Sequence, residues 1–230
     1  SNTNGLSIVL ENGCQIFRAS GYIRSETIDG SAAVHLSPQQ NAGYEIPFGY
    51  NSTAYIPFKY QCTNGCDWVS LSTYRSLPDN TPFPPGVTHV RSISGADNSL
   101  QTIDRYWYVN AVGNPNANLK FTYAPIEKGS ISTPRAQRWI GNDAWESFKG
   151  MQSNPTPYET EVNGITGLNS WWTLSSQSSP LPVEILSFNA NCQSQRVVLN
   201  WSVATQRNND IFILERSRKR KKWENLTSIK

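Results

Sequence analysis

Residues 55–74 read Tyr55-Ile56-Pro57-Phe58-Lys59-Tyr60-Gln61-Cys62-Thr63-Asn64-Gly65-Cys66-Asp67-Trp68-Val69-Ser70-Leu71-Ser72-Thr73-Tyr74. Residues 55–61 and 67–74 are apolar-rich and strand-like, and the Asn64-Gly65 step between them is a turn signal. Two such runs around a short Asn-Gly connection predict an antiparallel hairpin. Cross-strand pairing at its tip brings Cys62 and Cys66 close, so a small disulfide loop is predicted in an oxidising compartment. A zinc site needs two more ligands, and Cys14 and Cys192 are too isolated in sequence to supply them. Those two cysteines are expected to be free or buried.

The same pattern of short strand-like runs and turn residues extends in both directions. Residues 6–10 lead through Glu11-Asn12-Gly13 into residues 14–18, a predicted hairpin, and residues 21–27 and 32–36 follow as strands. Residues 77–86 hold Pro78, Pro82, Pro84 and Pro85 and must form an extended loop. Residues 105–112 and 118–123 are expected to pair around Gly113-Asn114-Pro115-Asn116. Residues 136–140 and 144–148 flank Gly141-Asn142-Asp143, and residues 158–162 and 170–174 close the set. No window of a dozen residues keeps the 3, 4, 7 apolar spacing of a helix. The pattern predicts an all-β, antiparallel sandwich or jelly roll over residues 1–176. A Pro/Ser linker, residues 177–182, leads to a second β pattern over residues 183–230. There Val197, Leu199 and Trp201 alternate with Val198, Asn200 and Ser202, as in a half-buried strand. Ile211 and Ile213 alternate with Phe212 and Leu214 in the same way.

Composition agrees with a thin sandwich. Aromatics make up 11% of the 230 residues, and large rings fill the space between two sheets. The net charge is +3, but Arg216, Arg218, Lys219, Arg220, Lys221 and Lys222 contribute six positive charges. Removing those six from +3 leaves −3, so the body is mildly acidic and carries no broad nucleic-acid surface. No apolar run is long enough for a membrane-spanning helix. The N-terminus shows no charged-then-apolar leader, so either a signal was removed or the chain starts internally.

Leu181-Pro182-Val183-Glu184-Ile185-Leu186-Ser187-Phe188, followed by Val197-Val198-Leu199-Asn200-Trp201-Ser202 and by residues 208–217, resembles a module of secreted Bacteroidota proteins. That module is a fibronectin type III-like sandwich, which commonly precedes the sorting domain of the type IX secretion system. The upstream region resembles the module's usual neighbour through Pro47-Phe48-Gly49, Asp104-Arg105-Tyr106-Trp107, the Trp139 to Trp145 hairpin and residues 164–174. Two departures stand out. A basic run replaces the Asp-Gly turn that usually follows Ser217, and residues 183–230 supply about four of the seven strands of a full sandwich. The strong apolar alternation in this half-sandwich predicts completion by another chain or by further chain of the same protein.

Signals of catalysis are sparse. His35 and His89 lie in no metal or triad motif and read as hydrogen-bonded or surface histidines. Asp97, Asp104, Glu127, Asp143 and Glu146 show no paired arrangement of the kind a glycosidase needs. Asp97-Asn98 offers oxygen ligands for Ca²⁺, although an Asx-type turn is the weightier reading. Asp104-Arg105 reads as a charged pair anchoring a strand end. Trp107, Trp139, Trp145, Trp171 and Trp172 are numerous for one domain. Adjacent Trp171 and Trp172 must point to opposite faces of a strand, so one is core and the other lies on the outer face or under a loop. An exposed ring there would stack on sugar, which makes Trp171 and Trp172 candidate glycan contacts. Arg218, Lys219, Arg220, Lys221 and Lys222 are candidate contacts to an anionic glycan, an acidic lipopolysaccharide or nucleic acid, the last weakened by the lack of interleaved aromatics, with a solvated turn as the plainer reading.

The resemblance thus implies a non-catalytic structural or adhesive module, exported by the type IX system to the cell surface or medium. Its expected partners are other chains of a surface assembly or the export machinery, with no cofactor and no nucleic acid. A carbohydrate-binding accessory of a secreted hydrolase is the alternative.

Overall fold

The computed structural model describes residues 7–51, 54–92, 95–178, 185–193, 196–203, 212–217 and 224–229. The chain divides into two compact units, Ser1–Glu184 and Ile185–Lys230. Unit 1 begins with β1 (Ile8–Leu10), β2 (Val34–Leu36), β3 (Gly43–Ile46), β4 (Phe58–Asn64) and β5 (Val69–Arg75). It continues with β6 (Arg105–Ala111), β7 (Asn116–Thr122), β8 (Pro134–Gly141) and β9 (Ala144–Trp145). It closes with β10 (Met151–Ser153), β11 (Glu159–Ile165) and β12 (Ser170–Ser176). Two single-turn 3₁₀ segments, Ser99–Gln101 and Pro125–Glu127, are the helical pieces among the described residues.

These strands form a two-sheet sandwich. One sheet runs β1-β2-β5-β6-β12-β8-β9 and the other β10-β11-β7-β4-β3. Between them lies a core that includes Phe58, Tyr60, Leu71, Trp107, Phe121 and Trp172. The sandwich that the alternation predicts is therefore present, but its connections differ from those expected.

Residues 55–61 and 67–74 do not form a hairpin. β4 bonds to β3 and β7 in the five-stranded sheet, whereas β5 bonds to β2 and β6 in the other. The chain arches across the core at Asn64-Gly65, with Gly65 at φ +66°. The pairs β6/β7 and β11/β12 are likewise split between the sheets. The physical reason is burial. A hairpin would leave the apolar faces of both strands side by side and still uncovered, whereas an arch lays one face on the other. Residues 14–18 also form no strand. β1 instead runs parallel to β2, with Ile8 opposite Val34, and Ser37 N–H donates to Leu10 O. The Gly141-Asn142-Asp143 segment does turn a true hairpin between β8 and β9. Asn142 and Asp143 both take positive φ there, at 51° and 61°, as a type I′ turn requires.

The two sheets differ in how their outer faces are covered. Residues 77–92 and 95–104 fold back over the seven-stranded sheet, and Val87 packs with Tyr74, Tyr106, Trp139, Trp145 and Trp171 in a second core there. Tyr74 Oη–H donates to Pro82 O at 2.6 Å and Tyr106 Oη–H to Asn80 O at 3.1 Å, which ties the proline loop down. Strands β6 and β12 are accordingly buried on both faces, while β4, β7 and β11 alternate between buried and half-buried positions. An antiparallel sheet with one solvated face has this signature.

One end of the inter-sheet core is charged. Arg105, fully buried, donates from Nε and Nη2 to Glu127 and from Nη1 to Glu26 and Thr73 Oγ1. Arg105 does not pair with Asp104 as the sequence suggested. Neighbours on a strand point to opposite faces, and Asp104 instead faces Asn80, with Asn80 Nδ2 3.5 Å from its Oδ1.

Unit 2 comprises β13 (Ile185–Gln193) paired with β14 (Arg196–Val203), and β15 (Phe212–Arg216) paired with β16 (Glu224–Ile229), both antiparallel. Val197 is 60% exposed on β14.

Candidate functional site: a polar cleft on the five-stranded sheet

Cys62 and Cys66 are disulfide-bonded, with Cα atoms 5.7 Å apart. The bond closes the arch from β4 to β5 and so sits where the chain passes between sheets, not at a hairpin tip. Cys14 is free and exposed. The Cys192 side chain lies outside the described residues.

The aromatic candidates are used internally. Trp171 is 5% and Trp172 2% exposed, so neither offers an open ring face for stacking. They do point to opposite faces. Trp172 packs in the inter-sheet core 5.7 Å from Phe121, and Trp171 packs under the proline loop against Tyr74 and Tyr108. Arg218, Lys219, Arg220, Lys221 and Lys222 lie outside the described residues, as do residues 179–182 of the linker. Arg216 is exposed and pairs with Glu224 at 3.4 Å.

The candidate acids and bases are likewise committed. His89 Nδ1 accepts the Arg91 N–H at 3.2 Å, so Nε2 carries the proton and donates to Asp143 O at 3.1 Å. His35 lies between Ser70 Oγ and Ser7 Oγ. Asp97 accepts from the Ser99 N–H and Oγ–H, an Asx-type turn. Glu146 pairs with Arg138 at 2.9 Å and with Lys149. Thr88 Oγ1 and Asp143 are hydrogen-bonded, which holds the Asp143 carboxyl below its usual range.

The bare outer face of the five-stranded sheet carries a depression of about 380 Å³ that spans β3, β4, β7 and β11. Its floor holds amides set by the strands' own irregularities. Register shifts in β11 between Val162 and Ile165, and Gly164 takes φ +67°. This bulge frees the Gly164 N–H to donate to Asn118 Oδ1 at 2.9 Å. Asn118 Nδ2 donates to Gln61 Oε1 at 2.8 Å, and Gln61 Nε2 donates to Asn41 O at 2.9 Å.

Ion pairs adjoin these amides. They lie in the neighbouring cross-strand row, where Lys59 stands opposite Lys120: Lys59 Nζ lies 2.7 Å from Glu45 Oε2, and Lys120 Nζ lies 2.8 Å from Glu161 Oε1 and 3.7 Å from Glu159 Oε2. Hydrogen bonds from Lys59 and Tyr55 hold the Glu45 carboxyl below its usual range, so it is ionised at neutral pH. Gly43 lies at the β3 edge of the depression, and a Cβ there would meet nothing within 4 Å. Through Gly43 and Glu45 the depression joins a second one, lined by Phe17, Arg18 and Tyr55. Arg18 stacks on the Tyr55 ring at 4.1 Å, and Phe17 is 89% exposed.

None of these cleft residues was singled out by sequence reasoning. The available signal was the outward half of the alternation: Lys59 and Gln61 on β4, Asn118 and Lys120 on β7, Glu161 and Asn163 on β11. Which of the two sheets would keep a bare face depends on the fold of residues 77–92, and that is a tertiary property. Comparison with protein-family models, curated proteins and solved structures gives no match to this chain.

Proposed function

We propose that this chain is a non-catalytic structural or adhesive module of a secreted or cell-surface protein, with unit 2 as a partial fibronectin type III-like connector of the kind that precedes the sorting domain of the type IX export route. The observation that carries this reading is the Cys62–Cys66 disulfide at the crossing between the two sheets, since such bonds persist in oxidising compartments. The motifs of residues 181–217 add the export route. The engagement of the candidate acids, bases and Trp rings in packing and hydrogen bonds supports a presenting role over a catalytic one. The test is localisation in the cell of origin. The protein should be accessible to added protease on intact cells, and should be retained inside the outer membrane when the type IX machinery is deleted. Cytoplasmic location with free Cys62 and Cys66 thiols would refute the proposal. The second reading, carbohydrate binding, is favoured by the polar cleft on the five-stranded sheet.

A further inference from the structure

We infer that the outer face of the five-stranded sheet binds a neutral, polyhydroxylated chain, a linear oligosaccharide laid across β11, β7, β4 and β3. This rests on the second reading above and gives it a site and a ligand class. Three gaps between four strands span about 14 Å, room for a short run of sugar units.

The chemistry of the cleft selects the ligand. After their mutual bonds, Asn118 and Gln61 each keep one N–H and one carbonyl lone pair uncommitted. A group that both donates and accepts, at fixed spacing, matches a hydroxyl that also does both. Because the Gly164 N–H and Asn41 carbonyl already orient the two amides, little side-chain freedom is lost on binding. Charge argues against an anionic ligand. Lys59 and Lys120 are matched by Glu45, Glu159 and Glu161, so the face carries no net positive charge, and a polyanion would meet carboxylates. The cleft is also a poor protein-docking site. Its central amide and ion-pair groups would have to be desolvated, and no buried aromatic anchor pocket is present among its described residues. Gly43 leaves the β3 end open, and the exposed Phe17 ring beyond it supplies an apolar face of the sort that sugar rings cover.

The experiment titrates the full chain with cellohexaose, xylohexaose, mannohexaose and laminarihexaose, and with a heparin fragment, by calorimetry at low and high salt. At least one neutral hexasaccharide should bind, with an affinity that salt leaves unchanged. Asn118→Ala should weaken that binding about tenfold, the equivalent of one or two lost hydrogen bonds. Gly43→Trp should abolish it with an unchanged thermal transition, because the space at Gly43 is open. Three results would each overturn the inference: no binding by any neutral hexasaccharide, binding indifferent to both variants, or a salt-sensitive preference for heparin. The localisation test is independent, so a surface-exposed protein that binds none of these sugars refutes the inference alone.

Discussion

Arg105 Nη2 lies 2.7 Å from Glu127 Oε1, with both side chains fully excluded from water, at one end of the inter-sheet core. The pair is completed by Glu26 and Thr73, and the Tyr50 ring lies 5.2 Å from the guanidinium. Removing one member leaves the other charged and buried. Glu127→Ala is therefore expected to destabilise unit 1 by about 3–5 kcal/mol. The double variant Arg105→Met/Glu127→Leu should recover much of that loss, because it removes both desolvation penalties together. Urea denaturation of the single and double variants checks this, and equal losses in both would contradict it.

Asp104 links stability to pH. Burial, and after it the nearby Glu127 charge, push its carboxyl up from 3.8 to about 7, with Arg75 pulling the other way and Asp79 adding to the rise. Folded Asp104 thus holds its proton more tightly than the unfolded chain does. The stabilisation from this group is complete below pH 3.8 and is lost as pH climbs through about 7. Asp104→Asn, which keeps the shape without the charge, should be more stable than the parent above pH 7 by an amount on the order of a few kcal/mol. The two proteins should converge near pH 4. Denaturation midpoints measured across that range decide the matter, and a constant offset would show that Asp104 does not titrate in this window.

The Cys62–Cys66 bond closes a very short loop, so chain entropy assigns it only about 2 kcal/mol. Reduction should lower the unfolding free energy by about that amount and leave the sandwich folded. Mass spectrometry of the alkylated protein should show the bond before reductant and two further modified thiols, at Cys62 and Cys66, after it. Loss of the near-ultraviolet circular dichroism on reduction alone would show that the arch depends on the bond.

Trp171 and the cleft lie on different faces of unit 1. Trp171→Ala removes the ring that Tyr74 and Tyr108 pack against under the proline loop, and should cost about 3 kcal/mol. Cleavage by protease within residues 77–86 should rise with it. Sugar binding at the five-stranded sheet should be unchanged at temperatures where the variant is folded. Equal loss of binding in Trp171→Ala and Asn118→Ala would return the site to the tryptophan pair.

The sequence by itself determined the class of fold, the Gly141-Asn142-Asp143 hairpin and the partnership of Cys62 with Cys66, because each is written in residues that lie close together. Alternation specifies strands, left-handed positions specify turns, and four residues of separation bring two thiols within reach. It also placed Trp171 and Trp172 on opposite faces, since strand geometry allows nothing else. Tertiary structure decided what each strand pairs with. Local alternation reads the same whether two consecutive strands lie side by side or face each other across a core, so two expected pairs, residues 55–61 with 67–74 and 105–112 with 118–123, became arches once burial of both apolar faces was at stake. It also decided which face stays bare. Tyr74, Tyr106 and Trp171 draw residues 77–92 over one sheet, and the outward Lys59, Gln61, Asn118 and Glu161 of the other remain in contact with water.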